Sequence, residues 1–277
     1  MIKPKILIGS PIRQHPAILN AFLTSLKGLR KTRSVQHYLF VDDNQEEISS
    51  ALLKQCAAEH PDTCEIIEAR RDSTLYLCNQ KTHYWREELI WKVAAFKDRV
   101  ISRAREGSYD FLFLIDSDLV LHPETLEHLA GLNREIVSTI FWTKWFEDAV
   151  PLPQVWMSDR YNQFDMEIGE RLTEEEKLQR REIFLERLRK PGTYEVGGLG
   201  ACTLINREAL QKPISFQRIK NLIFWGEDRH FCVRASALGI PLFVDTHYPA
   251  YHIYREEDLK WIPDFHQCPP RALYREI

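Results

Sequence analysis

Phe111-Leu112-Phe113-Leu114-Ile115-Asp116-Ser117-Asp118 joins an uninterrupted apolar run to two carboxylates one residue apart. An apolar run of this length, bounded by polar residues, reads as a strand buried on both faces, the pattern of a parallel sheet covered by helices. Asp116 and Asp118 then stand at the strand's carboxyl end, the edge where open α/β sheets bind ligands. Two like charges drawn out of water there need a cation between them or shifted pKa values. A hard divalent cation holding a diphosphate is the simplest resolution.

The chain before this stretch repeats the same grammar. Lys5 to Gly9 and Tyr38 to Val41 read as strands, and Cys64 to Glu68 as a third. Ile18, Leu19, Phe22, Leu23, Leu26 and Leu29 recur at helical spacing between Pro16 and Leu29; Ile48, Leu52, Leu53 and Cys56 do so in a second helix. A long helix is predicted from about Trp85 to Arg105, with Leu89, Ile90, Val93, Phe96, Val100 and Ile101 facing inward. Helices between short consecutive strands imply a mostly parallel, three-layer sheet.

Past Phe141 the pattern changes. Glu135 to Phe141 is another strand, but Trp142 to Trp156 is aromatic and irregular, broken by Pro151 and Pro153. Arg171 to Lys190 is dense in charge with a thin apolar stripe, an exposed helix or flap. Gly197-Gly198-Leu199-Gly200 leads into a strand over Ala201 to Ile205, Trp225-Gly226-Glu227-Asp228 opens a helix to about Leu238, and Leu242 to Asp245 is a last strand.

Composition narrows the classes. The 277 residues suit one large domain or a domain with an insertion, and 44% hydrophobic with 28% charged residues is ordinary globular usage. A formal net charge of −3 speaks against nucleic acid as partner. No apolar stretch reaches the roughly 20 residues that span a bilayer, and the short apolar segment after Met1 runs straight into the first strand, so a cytoplasmic location is expected. The six cysteines form no C-x-x-C pair; Cys202 and Cys232 lie in apolar runs and read as reduced core thiols.

Four polar clusters fall at predicted strand ends or helix starts: Gly9-Ser10-Pro11, Asp42-Asp43, Asp116/Asp118 and Glu227-Asp228. A parallel sheet gathers such clusters into one crevice. Carboxylates at Asp42 and Asp43 can accept from N–H and O–H donors. Asp118 is the strongest metal-ligand candidate for Mg²⁺ or Mn²⁺, with His252 the remote ligand and His247 its competitor. Glu227 and Asp228 suit a helix start electrostatically, and either is a candidate general base.

In order, Ser10-Pro11-Ile12-Arg13, Phe40-Val41-Asp42-Asp43-Asn44, Asp116-Ser117-Asp118, the Gly-Gly before a strand, Gly226-Glu227-Asp228 and Tyr251-His252 resemble GT-A-fold glycosyltransferases of the family 2 kind. Pro153-Gln154-Val155-Trp156 is more loosely similar to mannan-polymerase-type mannosyltransferases. The resemblance covers roughly residues 5 to 254. It implies a GT-A-type, Rossmann-like three-layer sandwich over 1–254, a charged acceptor-side insertion or lid at 157–195, and an irregular packed tail over 255–277.

The implied reaction moves a sugar from a nucleotide-diphosphate sugar to a hydroxyl of a glycan, lipid or protein acceptor. Pro11 and the first loop, with Asp42 or Asp43, would hold the nucleoside; Arg13, and Arg99 or Arg103, would reach phosphate. Asp116 and Ser117 would meet ribose or the metal's water shell, while Gly197, Gly198 and Gly200 would let backbone approach the sugar. Asp228 would be the base of an inverting enzyme; a retaining one needs none. Trp142, Trp145, Trp156 and Trp225 are candidates to stack on sugar rings, with about one of the four expected to do so. Lacking a spanning segment, the protein could still work peripherally on a lipid-linked acceptor. The rival functions are a nucleotidyltransferase, disfavoured by the glycine-free Ser10-Pro11-Ile12-Arg13-Gln14 loop, and a non-catalytic sugar-nucleotide binding module.

Overall fold

Alternation along the apolar strands decides the layering. In the computed structural model, which describes residues 3–69, 77–78, 83–84, 86–146, 149–158, 161–224 and 226–267, four strands pair in parallel. They are β1 (Lys5–Ile12), β2 (Val35–Asp42), β3 (Cys64–Glu68) and β4 (Phe111–Leu114), in the order β4-β1-β2-β3. Successive strand residues face opposite sides, and here both sides are apolar. Leu7, Leu39 and Leu112 join one core cluster; Ile8, Phe40 and Phe113 join another. Helices α1 (Pro16–Lys27) and α2 (Glu47–Glu59) bring Phe22 and Leu53 to the second, while α3 (Glu87–Glu106) brings Val100 and Ile101 to the first. Two cores separated by one sheet make three layers.

After α4 (Thr125–Gly131) the sheet becomes mixed. It is completed by β5 (Ile136–Thr143), β6 (Thr193–Val196), β7 (Thr203–Asn206) and β8 (Leu242–His252), in the overall order β6-β8-β5-β7-β4-β1-β2-β3. The pairing of β8 with β5 is parallel, but β7 runs antiparallel to both β5 and β4, and β6 antiparallel to β8. Reversal of β7 has a consequence for the site. Thr203 pairs with Leu114, so the glycine-rich lead into β7 arrives at the edge where β4 ends.

Strand β8 is longer than the four residues predicted. Its register against β5 shifts between Asp245 and Ala250, and its far end pairs with the short strand Leu119–Val120, setting His252 opposite Leu119. The charged insertion contains α5 (Glu174–Leu188), whose start is capped by Thr173 and Glu176, each bonding the other's backbone N–H. Phe184 and Leu188 bury its inner edge; Leu178 and Ile183 stay exposed. Short α6 (Arg207–Gln211) and α7 (Glu227–Ala237) pack against α3.

The described part of the tail is helical rather than irregular. A 3₁₀ turn over Glu256–Trp261 leads into α8 (Ile262–Gln267), and Phe265 docks on Ile18, Val120 and Ile253. Residues 268–277 lie outside the described ones. Cys202 and Cys232 are buried free thiols, as are Cys56 and the half-buried Cys64. Among the described residues no helix is long and apolar enough to cross a membrane.

Candidate active site

A cleft of about 410 Å³ opens where β1, β4 and β8 end and α7 begins. Its walls include Pro11, Arg13, Asp43, Asp116, Ser117, Asp118, Glu227, Asp228 and His252. These residues are spread over more than 240 positions of chain, and the sheet edge brings them together.

At the floor stands a residue not anticipated from the sequence. Lys97 of α3 is only 3% exposed, and its Nζ donates to Glu227 Oε1 and Asp228 Oδ1, both at 2.9 Å, with Asp116 Oδ1 at 3.7 Å. Burial works against an ammonium, but the surrounding Asp116, Asp228 and Glu227 outweigh it and hold Lys97 well above its ordinary pKa. One cation facing three carboxylates leaves the acids undercompensated. Burial, opposed by Lys97 and reinforced by Glu227 and Asp116, pushes Asp228 up to about 7. Asp116 is raised by the same burial, again opposed by Lys97, with Asp118 adding to the rise. Asp228 still has 25% of its side chain open, and it helps line the cleft.

Lys97 could have been found. It sits four residues after Val93 and four before Ile101, in the middle of the stripe predicted to face inward. A lone charge on an apolar helix face requires a buried partner.

Asp118 and His252 form the second half of the site. The short Leu119–Val120 strand fixes their approach, with His252 Nε2 3.5 Å from Asp118 Oδ2. On the other side of the ring, Nδ1 lies 2.9 Å from Thr143 Oγ1, which also accepts from the Gln154 amide at 3.0 Å. Occupying Nδ1 in this way orients Nε2 toward the carboxylate, the arrangement of a metal-ligating histidine with its outer-shell partner. One carboxylate oxygen and one imidazole nitrogen at this spacing are donors that a divalent cation can take. His247, the competing candidate, lies elsewhere, against Asp245.

Asp42 and Asp43 are separated by the structure. Asp42 is buried behind the cleft, its Oδ1 accepting from the Asn44 backbone N–H at 3.0 Å and side-chain amide at 2.8 Å. Asn44 Oδ1 in turn accepts from Gln14 N at 2.8 Å, which ties the β2 loop to the β1 loop. Asp43 faces the cleft between Lys92 Nζ at 2.7 Å and Arg13 Nη1 at 3.5 Å.

Some candidates stand apart from the cleft. Arg99 is exposed on α3, and Arg103 pairs with Glu65 and Glu106. Gly198 pairs with Trp156, and a methyl on it would overlap the indole, so this glycine serves packing. Gly200 is the member of that run lining the cleft. Trp142 and Trp156 are core residues, Trp145 is 40% exposed on the cleft wall, and Trp225 lies outside the described residues.

No protein-family model matches the chain, and no curated protein matches it in sequence. Solved structures do. The crystal structure of GalNAc-T7 with UDP, GalNAc and Mn²⁺ superposes with a TM-score of 0.55 at 16% identity, over 91% of this chain and 44% of that one. TarS (residues 1–349) from S. aureus gives 0.52 at 14% identity, over 90% and 60%. The mannosyltransferase PcManGT from Pyrobaculum calidifontis, in complex with GDP-Man and Mn²⁺, gives 0.50 at 13%, over 89% and 58%. The fold is therefore the GT-A fold of glycosyltransferases, and the chain spans about half the length of these structures.

Proposed function

We propose that the protein is a divalent-metal-dependent glycosyltransferase that moves a sugar from a nucleotide-diphosphate donor to an acceptor hydroxyl. The observation that carries this reading is the junction of two units in one cleft: the Asp118–His252 pair and the Lys97-centred carboxylates. A nucleotide sugar with Mn²⁺ is favoured because GalNAc-T7 holds UDP and Mn²⁺ and PcManGT holds GDP-Man and Mn²⁺ on the same fold.

In this reading Asp118 and His252 hold the cation, which when bound supplies positive charge opposite the leaving diphosphate. Thr143 and Gln154 keep the imidazole oriented. Asp43, positioned by Arg13 and Lys92, receives the nucleoside, and Asp116 with Ser117 meets the ribose. Asp228 is the base. Lys97 secures its Oδ1, and its Oδ2 lies toward Gly200 on the cleft wall. With a pKa raised to about 7, the carboxylate accepts the hydroxyl proton at neutral pH without being too weak a base. Base-assisted attack from that side inverts the anomeric centre.

The acceptor side is a second hollow of about 530 Å³ that shares Trp145, Gln154 and Tyr161 with the cleft. Trp156 and Arg181 of α5 complete its wall, so the charged insertion borders it as a lid would.

A thermal-shift screen with UDP, GDP, CDP and dTDP, each with Mn²⁺ and with chelator, tests the donor half. A ligand at about 100 times its Kd adds roughly 2.7 kcal/mol of stability. One nucleotide that stabilises only with metal supports the transferase and identifies the donor base; no response to any of the four rejects it.

A further inference from the structure

Asp245 is a fully buried carboxylate with no lysine or arginine within 4 Å among the described residues. What surrounds it is imidazole. His128 Nε2, from the last turn of α4, lies 3.1 Å from Oδ1, and His247 Nδ1 lies 2.9 Å from Oδ2. The three donor atoms fall within 4.8 Å of one another. None of the three residues lines the cleft, and Asp245 precedes His252 by seven residues on β8.

We propose that His128, Asp245 and His247 form a second metal site, for Zn²⁺ or a similar borderline transition-metal dication. Two imidazole nitrogens and one carboxylate oxygen are the donor set that Zn²⁺ accepts, whereas Mg²⁺ and Ca²⁺ favour oxygen throughout. The carboxylate is already aimed. Thr193 Oγ1 of β6 donates to Oδ2 at 2.9 Å, and the His247 backbone N–H donates to Oδ1 at 3.0 Å. Such outer donors orient a ligating carboxylate. The rings are also placed: His128 and His247 pack with centroids 4.8 Å apart, and Tyr248 meets His128 edge-on at 5.1 Å.

The site has a way in. The His128 and His247 side chains are 25% and 39% exposed, so the two rings reach the surface while the carboxylate is fully buried. Three protein ligands with an accessible fourth position describe an open zinc site, filled by water or a further ligand. A cation there also supplies positive charge to a buried carboxylate that has no lysine or arginine within 4 Å among the described residues, and it joins α4 to β8.

The test uses the full chain, stripped with chelator and titrated with Zn²⁺ against a competing chromogenic dye. Asp118→Asn/His252→Ala removes the cleft ligands and leaves this site. One equivalent of Zn²⁺ is expected to persist in that double variant, to weaken at least about tenfold in His128→Gln and His247→Gln, and to weaken about tenfold in Thr193→Val. Co²⁺ loaded in its place is expected to give visible absorption that the histidine variants lose. Cooperative melting of each metal-free variant confirms folding, and Thr193→Val provides the reading if a histidine variant fails that check. The proposal is overturned if the double variant binds no Zn²⁺, leaving a hydrogen-bonded cluster only, or if both histidine variants bind as the parent does.

Discussion

Two acidic centres lie near one strand, β8, and they are compensated in opposite ways. At the His252 end of β8, three carboxylates crowd one buried lysine, and burial, opposed by Lys97 and reinforced by Glu227 and Asp116, drives Asp228 up to about 7. At the Asp245 end, one carboxylate is met by two imidazoles and two hydrogen-bond donors, with no lysine or arginine within 4 Å among the described residues. The contrast teaches what a buried acid does in each setting. Burial, with neighbouring acids adding to it, raises a carboxylate's pKa and makes a base near neutrality. A single acid among soft nitrogens makes a ligand set.

The comparison can be broken most forcefully at Asp228. Asp228→Asn keeps the shape of the side chain and removes its basicity, so kcat should fall about 10²–10⁴-fold with Mn²⁺-dependent nucleotide binding unchanged. Transfer near the parent rate would mean that the surplus of acids makes no base.

Lys97→Met comes next. Removing the one cation from a buried cluster should cost about 3–5 kcal/mol of stability, read as a fall in unfolding midpoint in urea. Without Lys97 opposing burial, Asp228 rises further, so the alkaline-going rise in activity through about 7 should move to higher pH. A midpoint within error of the parent would show that the carboxylates compensate themselves.

Thr143→Val acts at one remove, by freeing His252 Nδ1. A drop of about tenfold in Mn²⁺ affinity, with folding intact, is expected of an outer-shell partner. Equal affinity would detach the imidazole from the metal.

A further effect is one of pH on stability. Asp228 keeps its proton in the folded state up to about 7, whereas in the unfolded chain it loses it near 3.8. Between those values the native state binds more protons, so this residue makes stability fall as pH rises. In Asp228→Asn the melting temperature should lose that part of its downward slope; a slope identical to the parent's would refute the raised pKa.

How far the site could be read from the sequence follows from how its parts are encoded. The β1 to β4 half was legible because strands apolar on both faces occur in few settings, and carboxylates at their ends mark the edge. Direction is not encoded locally. Ala201 to Ile205 reads as a strand whichever way it runs, so the reversal of β7 appears only in its pairing with β4 and β5. The strand β6 was missed because Tyr194 and Glu195 are only partly covered or exposed and show no apolar alternation. The later half of β8 contains Thr246-His247-Tyr248-Pro249 and a register shift, which masks its period. His247 and His252 look equivalent in the sequence; only the pairing of His252 with Leu119 puts one beside Asp118. Among neighbouring aspartates, Asp42 and Asp43 differ only in which way each points, again a matter of local backbone.

Gly226, at the cap of α7, has φ of +103°, and a methyl placed on it would overlap the Tyr161 hydroxyl. Two independent constraints therefore act on one position, backbone strain for any L side chain and collision with a phenol. In evolutionary terms the position is locked twice: loss of the Tyr161 ring would remove the collision and leave the backbone strain, so position 226 should stay glycine even where position 161 has changed.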